Sequence, residues 1–235
     1  MNYLLGSGYY TNSEFAITWL KRICDSARPK PEKIVIVSVG GERFPKVCFE
    51  GFTPNWRDYF SEVNLAGNLG HVGDLLKGKD RDFCGWSAAV ITLAMIAYTA
   101  ELDFIFCESD TLAFGPWVEK LYSDMNDADM VFGGKMESEP FMACAQGLFL
   151  IRHRFIPTFV SKYIQMGSDS RLYDGKSDNL PEDKFHRLRE AMPDKIKTLS
   201  FGVDRQRPLP IDSPVWYAQH FTPEELTLMQ EKGLL

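Results

Sequence analysis

Apolar residues along the chain follow two patterns that alternate from the N-terminus onwards. Short β-branched or aromatic runs indicate buried strands, and they occur at Tyr3–Leu5, Lys33–Val39, Asp103–Cys107, Met130–Phe132 and Gly147–Ile151, with a weaker run at Val63–Ala66. Apolar residues spaced three or four apart indicate helices, and they occur around Phe15–Ile23, Trp86–Ala100, Pro116–Met125, Ile156–Ile164 and Lys184–Met192. Strands that alternate with helices predict an α/β fold, with a mostly parallel central sheet flanked by helices.

Nothing along the chain divides it into separate units. We find no internal repeat, low-complexity tract or long linker, so we predict one domain over residues 1–235. The first strand is predicted to stop at Gly6-Ser7-Gly8, where glycines permit a tight turn. In parallel sheets, ligands bind beyond the carboxyl ends of the strands. The residues that follow each strand are therefore the first candidates for a functional site.

The composition is that of a globular protein with a modest negative charge. Hydrophobic residues make up 45% and aromatic residues 13% of the chain, and the formal net charge is −6. A protein that binds nucleic acid needs a basic surface to replace phosphate counterions, so this balance disfavours nucleic acid as a partner. A phosphate-bearing ligand stays open, because a bound divalent cation inverts the local field.

The cysteines and the apolar runs predict where the protein resides. The five cysteines are odd in number, widely spaced and without a CxxC pair, which indicates reduced thiols in the cytoplasm. The N-terminus has no secretory signal pattern, and the most apolar run, Trp86–Ala100, is too short to span a bilayer. We expect a soluble cytoplasmic protein with no integral membrane segment, and peripheral association with a membrane stays open.

Two carboxylates directly follow the predicted strand Asp103–Cys107. Glu108 and Asp110 are separated by Ser109, and alternate residues of an extended segment point the same way. At the ligand-binding edge of a sheet, such a pair can hold Mg²⁺ or Mn²⁺, hard cations that take oxygen ligands and share them with substrate phosphates. The alternative is that the two residues only cap the turn or helix that follows.

Two further candidates lie in the second half of the chain. Glu182 and Asp183 stand at the mouth of a predicted helix, where a carboxylate can act as a general base or simply stabilise the helix N-terminus. His220 lies in an aromatic segment near the C-terminus. There a neutral imidazole can serve as a third metal ligand, or the residue can be an ordinary packed histidine.

Taken in chain order, these elements resemble the GT-A superfamily of glycosyltransferases from the first strand to about Phe221. The matching segments are Phe104–Asp110 for the strand with its DxD motif, Gln146–Arg152 for the glycine-containing loop and strand, Glu182-Asp183 for the xED motif, His220 for the C-terminal metal-binding histidine, and Asn68-Leu69-Gly70 for an N-x-G element. The chain departs from the pattern at Glu108, where the superfamily usually has an aspartate.

The resemblance implies a Rossmann-like GT-A fold and a metal-dependent glycosyltransferase. The donor would be a nucleoside diphosphate sugar, with UDP the expected nucleotide, and the acceptor a glycan or other hydroxyl compound. The N-terminal part would bind the nucleotide and the C-terminal part the acceptor. Mn²⁺ or Mg²⁺ would be held by Asp110, His220 and Glu108, with Asp110 the surer carboxylate ligand. Asp183, with Glu182 beside it, would be the catalytic base of an inverting reaction, and a retaining course stays open if Asp183 only binds hydroxyl groups.

Five residues are expected near the nucleotide and its diphosphate: Tyr9, Tyr10, Arg81, Glu108 and Ser109. The two tyrosines follow the first strand and can stack on the base, although ordinary packing explains them equally well. Arg81 can approach the diphosphate, or it can belong to a solvated charged loop. Because glutamate is longer by one methylene, Glu108 can reach the ribose or a metal-bound water.

Two other functions stay open on the sequence. A sugar-phosphate nucleotidyltransferase shares the nucleotide-binding architecture, but it would want a basic glycine-rich loop near the N-terminus, and Gly6–Tyr10 contains neither Arg nor Lys. The second alternative is a catalytically silent module that holds a nucleotide sugar or a glycan, and the substituted Glu108 makes it worth testing.

Overall fold

The computed structural model describes residues 1–10, 13–40, 43–44, 60–65, 69, 83–133, 146–169, 179–202 and 207–235. Its strands are β1 (Tyr3–Tyr9), β2 (Lys33–Ser38), β3 (Phe60–Asn64), β4 (Asp103–Cys107), β5 (Thr111–Phe114), β6 (Met130–Phe132), β7 (Leu148–Ile151), β8 (Ile196–Thr198) and β9 (Trp216–Gln219). Its α-helices are α1 (Ser13–Ser26), α2 (Gly85–Thr99), α3 (Trp117–Met125), α4 (Ile156–Gln165), α5 (Pro181–Ala191) and α6 (Pro223–Glu231), and a 3₁₀ turn at His153–Phe155 precedes α4.

Within the described residues, seven strands form one sheet in the order β3-β2-β1-β4-β7-β6-β8. The pairs β3–β2, β2–β1, β1–β4 and β6–β8 are parallel. β7 runs antiparallel to both of its neighbours, β4 and β6. The predicted mostly parallel sheet flanked by helices is therefore confirmed, with β7 as the exception.

The sheet is buried on both faces because successive side chains of its central strands enter different cores. The core beneath α1 and α3 receives one set of these side chains: Tyr3, Leu5, Ile34, Ile36, Ile105 and Cys107. The core beneath α2, α4 and α5 receives the alternate set: Leu4, Val35, Val37, Phe104 and Phe106. This is why β1, β2 and β4 are continuous apolar runs rather than alternating ones.

The prediction that the first strand ends at Gly6 is wrong, because β1 continues to Tyr9. A Cβ atom at Gly6 would lie 2.9 Å from both Cδ atoms of Leu93, on α2. Gly6 therefore lets α2 pack closely across the strand, and it does not turn the chain.

α2 itself is apolar on most of its surface because the sheet covers one side of it and α4 packs against it. Across the described ranges, no helix has both the length and the apolar character needed to cross a bilayer.

β5 and β9 form a separate two-stranded antiparallel ribbon, with Thr111 opposite Gln219 and Phe114 opposite Trp216. The rings of Phe114 and Trp216 stack with centroids 4.1 Å apart. The ribbon packs with α6 in a small apolar cluster of its own. The ribbon is not predicted from the sequence, because strands this short offer too few positions for a clear alternation of apolar and polar residues.

The ribbon joins the large sheet at the carboxyl end of β4. β5 begins just after β4 ends, and the last residue of β9, Gln219, lies opposite the first residue of β5. β7 starts at the same edge, with Leu148 opposite Cys107. Three segments of the chain therefore converge immediately beyond β4.

Candidate functional site

Glu108, Ser109 and Asp110 form a tight turn between β4 and β5. The Thr111 amide donates a hydrogen bond to the Glu108 carbonyl at 2.9 Å, and the Glu108 amide donates to the Gly147 carbonyl at 2.8 Å. The prediction that the two carboxylates point the same way assumed an extended segment, and this assumption is wrong. The segment is a turn, and both carboxylates contact one neighbouring side chain on β9.

That neighbour is Gln219, the last residue of β9. Its Nε2 atom donates to Glu108 Oε2 at 2.8 Å and to Asp110 Oδ1 at 3.0 Å. The side chain of Gln219 is buried, with 5% of the residue exposed. No role for Gln219 is predicted from the sequence. The one feature that could have drawn attention to it is its position as a polar residue inside the aromatic run Trp216–Phe221, directly before His220.

His220 lies against the other oxygen of Asp110. Its Nδ1 atom is 3.1 Å from Asp110 Oδ2, and the two side chains are 48% and 25% exposed. The backbone of His220 has a φ angle of 56°, a left-handed conformation that is uncommon for non-glycine residues, although histidine adopts it more often than most. The structure therefore brings together Asp110 and His220, which lie in distant parts of the sequence.

Arg207 holds this unusual backbone in place. Its Nη2 atom donates to the carbonyl of His220 at 3.1 Å and to that of Gln219 at 3.3 Å. Its guanidinium also pairs with Glu225, a first-turn residue of α6 whose carboxylate accepts from the Thr222 amide at 3.0 Å. Arg207 thus ties the end of β9 to the start of α6.

The side of the turn that faces β7 contains polar atoms without hydrogen-bond partners. A Cβ atom at Gly147 would lie 2.8 Å from Gln219 Oε1 and 2.8 Å from Thr111 Oγ1, so any larger residue would displace these two side chains. Among the described residues, Thr111 Oγ1 and Gln146 Oε1 are buried and have no hydrogen-bond partner. Unsatisfied buried polar atoms are uncommon, and these two flank the carboxylate turn.

Asp183 caps the helix that it opens. Its Oδ2 atom accepts a hydrogen bond from the Leu180 amide at 3.2 Å at the start of α5, and both Glu182 and Asp183 lie in the first turn. This hydrogen bond is the helix-stabilising role that the sequence leaves open for Asp183. The role of Asp183 as a base stays a prediction.

Aromatic contacts connect α5 to the strands that lead to Glu108. The ring of Phe185, two residues after Asp183, lies 5.2 Å from that of Phe149 and 5.7 Å from that of Trp86. Trp86 lies 5.4 Å from Phe106, two residues before Glu108. The first turn of α5 and the carboxylate turn are thus attached to one continuous apolar cluster.

Lys184, next to Asp183, is fully buried. Its Nζ atom donates to Asp169 Oδ1 at 2.7 Å and to the Gly167 carbonyl at 2.6 Å. The ammonium group also lies over the rings of Tyr163 and Phe83, at 4.7 and 5.0 Å from their centroids. This lysine fixes α5 to the segment that follows α4.

Cys107, the last residue of β4, is buried beside the carboxylate turn. Burial raises the pKa of its thiol well above the usual range, and the charges of Asp110 and Glu108 raise it further, although a hydrogen bond from Trp19 opposes the shift. The thiol is neutral at physiological pH and is a packing group. Cys84 and Cys107 are both free and buried.

The predicted nucleotide residues differ in their surroundings. Tyr9 is 2% exposed and its ring packs edge-on against Phe44 at 5.2 Å, whereas Tyr10 is 40% exposed. Of the two tyrosines, Tyr10 is the one with an exposed side chain. Arg81, Asn68 and Gly70 lie outside the described residues.

The described part of the chain contains no cluster of three or more His, Cys, Asp or Glu side chains arranged to hold a metal ion. Glu108 therefore does not join Asp110 and His220 in a preformed three-ligand group. Asp110 and His220 form a pair that offers one oxygen and one nitrogen atom to a metal ion. An ion held by this pair would need further ligands from a bound molecule or from water.

No protein-family model matches the sequence, and no curated protein matches it. Solved structures match the fold. The galactosyltransferase LgtC, in complex with donor and acceptor sugar analogs, has a TM-score of 0.58 at 10% identity, over 96% of this chain and 88% of that chain. The apo form of the glycosyltransferase GlyE from Streptococcus pneumoniae TIGR4 has a TM-score of 0.51 at 13% identity, over 85% of this chain and 45% of that chain. The predicted GT-A, Rossmann-like fold is confirmed.

The same fold also occurs in another class of enzyme. A putative glucose-1-phosphate thymidylyltransferase from Bacillus anthracis has a TM-score of 0.54 at 10% identity, over 100% of this chain and 96% of that chain. At such low identity the likeness establishes the fold alone. Function has to be argued from the side chains of the site.

Proposed function

We propose that this protein is a metal-dependent glycosyltransferase, which transfers a sugar from a nucleoside diphosphate sugar to a hydroxyl acceptor. The observation that carries the proposal is the contact between Asp110 and His220, 3.1 Å apart beyond the carboxyl end of β4. The fold shared with LgtC and GlyE supports this class of reaction. In this proposal the N-terminal strands bind the nucleotide, and the part of the chain after β7 binds the acceptor.

The donor atoms of Asp110 and His220 suit Mn²⁺ or Mg²⁺. Two ligands at right angles on such an ion, each about 2.1 Å from it, lie about 3.0 Å from each other. This spacing fits the 3.1 Å between Asp110 Oδ2 and His220 Nδ1. Because the described residues offer this pair and no third ligand beside it, donor phosphates and water would complete the coordination, as is usual for Mg²⁺. When bound, the ion would neutralise charge that builds up on the leaving diphosphate.

The remaining residues of the turn face the nucleotide in this proposal. Glu108 has one oxygen engaged by Gln219, so its role is with the ribose or a metal-bound water rather than as a third protein ligand. Ser109 lies between the two carboxylates in the same turn. Tyr10, at the carboxyl end of β1 and 40% exposed, stacks on the base of the nucleotide. UDP is the first choice of nucleotide.

Asp183 is the proposed catalytic base. The acceptor hydroxyl would lose its proton to Asp183 while it attacks the anomeric carbon opposite the diphosphate, which gives inversion. Its Oδ2 atom already accepts from the Leu180 amide, and this hydrogen bond orients the carboxylate. In this proposal Glu182, in the same turn of α5, assists by binding acceptor or donor hydroxyl groups.

Thermal-shift titration with nucleoside diphosphates is the first test of the proposal. UDP together with Mn²⁺ should raise the melting temperature by mass action, and EDTA should abolish the shift. Asp110→Asn should lose the shift. Asp124→Asn should keep it, because Asp124 lies on α3 and is engaged there by Lys120 and Ser200 rather than at this site. Failure of every nucleoside diphosphate to shift the melting temperature in Mn²⁺ would overturn the proposal.

Turnover then separates an enzyme from a silent binding module. A glycosyltransferase should release UDP slowly from a UDP-sugar even without acceptor, as water replaces the hydroxyl group. Binding of the donor without any release of UDP would favour the module.

A nucleotidyltransferase is the second candidate, and the fold match to the thymidylyltransferase favours it. Its reaction joins a nucleoside triphosphate to a sugar phosphate and releases pyrophosphate. We therefore expect no pyrophosphate from a nucleoside triphosphate and a sugar 1-phosphate. Pyrophosphate release that depends on Asp110 would replace the first proposal with the second.

A further inference from the structure

Gln219 lies between the two carboxylates of the turn and contacts both. Its amide nitrogen carries two hydrogens, and it lies 2.8 Å from Glu108 Oε2 and 3.0 Å from Asp110 Oδ1. Each carboxylate therefore has one oxygen held by the same buried amide. Such an amide offsets the repulsion between two like charges that share one site.

The hydrogen bonds define which oxygen each carboxylate presents to a ligand. With Oδ1 of Asp110 held by Gln219, Oδ2 is the oxygen that lies 3.1 Å from His220 Nδ1. Without the amide, the Asp110 carboxylate could rotate and place either oxygen, or both, at this position. Gln219 thus selects one oxygen at the place where Asp110 and His220 meet.

Gln219 is itself fixed from three sides. Its backbone pairs with Thr111 across the ribbon, and its carbonyl accepts from Arg207 at 3.3 Å. The missing side chain of Gly147 leaves just enough room for its Oε1 atom, which would lie 2.8 Å from a Cβ at that position. A side chain held this firmly is ordered before any ligand arrives, which is what a precise site requires.

We propose that Gln219 is a positioning residue, which makes Asp110 a single-oxygen metal ligand and holds Glu108 away from the ion. The inference rests on the proposed function, since it names the residue that sets the geometry of the same metal pair. It predicts that loss of the amide weakens the metal site even though Gln219 does not touch the ion.

The test is Mn²⁺ affinity, measured from the free Mn²⁺ signal in electron paramagnetic resonance, with no substrate present. Gln219→Met keeps the length of the side chain and removes both donors. Loss of a group that orients a metal ligand lowers metal affinity by about 10- to 100-fold, and we expect that loss here. A melting curve and a circular dichroism spectrum confirm that the variant is folded.

A matched control separates positioning from general damage. Asn179 is also a buried amide that donates to two oxygens, the carbonyls of Met166 and Ser168, at 2.8 and 2.5 Å. Asn179→Leu should lower the melting temperature and leave the Mn²⁺ affinity unchanged. If Asn179→Leu weakens Mn²⁺ binding as much as Gln219→Met does, the effect is general and the inference is wrong.

A rescue variant gives a readout that a merely structural role would not move. Glu108→Gln removes one of the two repelling charges, so Asp110 depends less on the Gln219 amide in that variant. In that background, Gln219→Met should weaken Mn²⁺ binding by less than about threefold, a clear departure from additivity. Full additivity of the two substitutions would overturn the inference.

The failure of this inference is distinguishable from failure of the proposed function. If the wild-type protein does not bind Mn²⁺ either alone or in the presence of UDP, the proposed metal site fails before any variant is compared. If the wild-type protein binds Mn²⁺ and Gln219→Met binds it equally well, only the role of Gln219 is wrong.

Discussion

Asp110 and Asp169 each lie against a basic side chain, but their surroundings differ. The side chains of Asp169 and Lys184 are both 0% exposed and lie 2.7 Å apart. Asp110 and His220 are 25% and 48% exposed and lie 3.1 Å apart. Asp169 also accepts from the Cys84 amide at 2.9 Å, so each of its oxygens is engaged by a donor in the protein core.

The difference shows how one residue type serves two purposes. A buried charge is tolerated only when hydrogen bonds and a partner replace its hydration, and the contacts of Asp169 and Lys184 do this completely. Asp110 is held by an amide and lies against a half-exposed imidazole, and in the proposed function this is the pair that binds a cation. The first pair is sealed in the core, whereas the second is partly exposed at the surface.

Breaking the buried pair should have the largest effect on stability. Lys184→Met leaves Asp169 charged and without its partner, which should destabilise the protein by about 3–5 kcal/mol. Urea unfolding followed by circular dichroism measures this change. Lys162→Met, at an exposed position of α4, should change stability by less than about 0.5 kcal/mol. A Lys184→Met variant as stable as the control would mean that the buried pair contributes nothing to the fold.

The adjacent residue of α5 should affect turnover instead. Asp183→Asn keeps an oxygen that can accept from the Leu180 amide, so the helix start survives. Loss of the base should lower turnover by at least about a hundredfold, whereas the affinity for the donor should persist. Turnover and donor affinity are both measured with a UDP-sugar.

Glu224→Gln is the matched control for Asp183→Asn. Glu224 is likewise an acidic residue in the first turn of a helix, α6, and nothing in the proposed reaction uses it. Its substitution should leave turnover unchanged. Near-normal turnover of Asp183→Asn would leave Asp183 with its capping role alone.

Much of the fold is predictable because its central elements are long and apolar. β2, β4 and α2 begin and end within about one or two residues of their predicted limits, the usual uncertainty for element ends. β1 is longer than predicted, because Gly6 serves helix packing and was taken as a turn signal. The ribbon β5–β9 is stabilised by contacts between residues far apart in the sequence, such as Phe114 with Trp216, and local patterns do not show these.

The site is predictable only in part, for a related reason. Asp110, His220 and Asp183 are charged or titratable residues, and their order along the chain resembles a known superfamily. Gln219 is neutral, and its place in an aromatic run marks it only as an unusual polar residue; that it contacts two carboxylates far away in the sequence is shown by the folded chain alone. Lys184 follows two acidic residues at the start of a predicted helix, where a lysine is usually exposed to solvent. Only the folded chain shows that its ammonium group is buried.

A substitution beneath Gln219 should disturb the exposed pair without touching either charge. Gly147→Ala places a Cβ atom 2.8 Å from Gln219 Oε1 and 2.8 Å from Thr111 Oγ1, so both side chains must shift. We expect a loss of about 1–3 kcal/mol in stability from overpacking, together with weaker Mn²⁺ binding in the same resonance assay.

Gly233→Ala is the comparison for Gly147→Ala. Gly233 has a φ angle of 68° and open space around it, so alanine there should cost about 1 kcal/mol through the backbone alone. Its Mn²⁺ affinity should equal that of the wild-type protein. If Gly147→Ala also binds Mn²⁺ normally, the position of Gln219 is not what sets the geometry of Asp110.

The smallest effect concerns the thiol beside the buried pair and appears only at alkaline pH. Burial, followed by the charge of Asp169, raises the pKa of Cys84 from 9.0 to about 12. In the unfolded chain this thiol loses its proton near its ordinary pKa, whereas the folded protein retains it. Above pH 9 the unfolded state therefore binds fewer protons, and the free energy of unfolding falls as the pH rises.

One such thiol contributes at most about 1.4 kcal/mol for each pH unit. Urea unfolding between about pH 8.5 and 10.5 should show this decline in the wild-type protein, and Cys84→Ala should reduce the slope by up to that amount. The test bears on the comparison, because Asp169 is the carboxylate that adds to the shift. If Cys84→Ala declines as steeply as the wild-type protein, the thiol ionises in the folded state, and the surroundings of Asp169 are more open than a sealed structural pair requires.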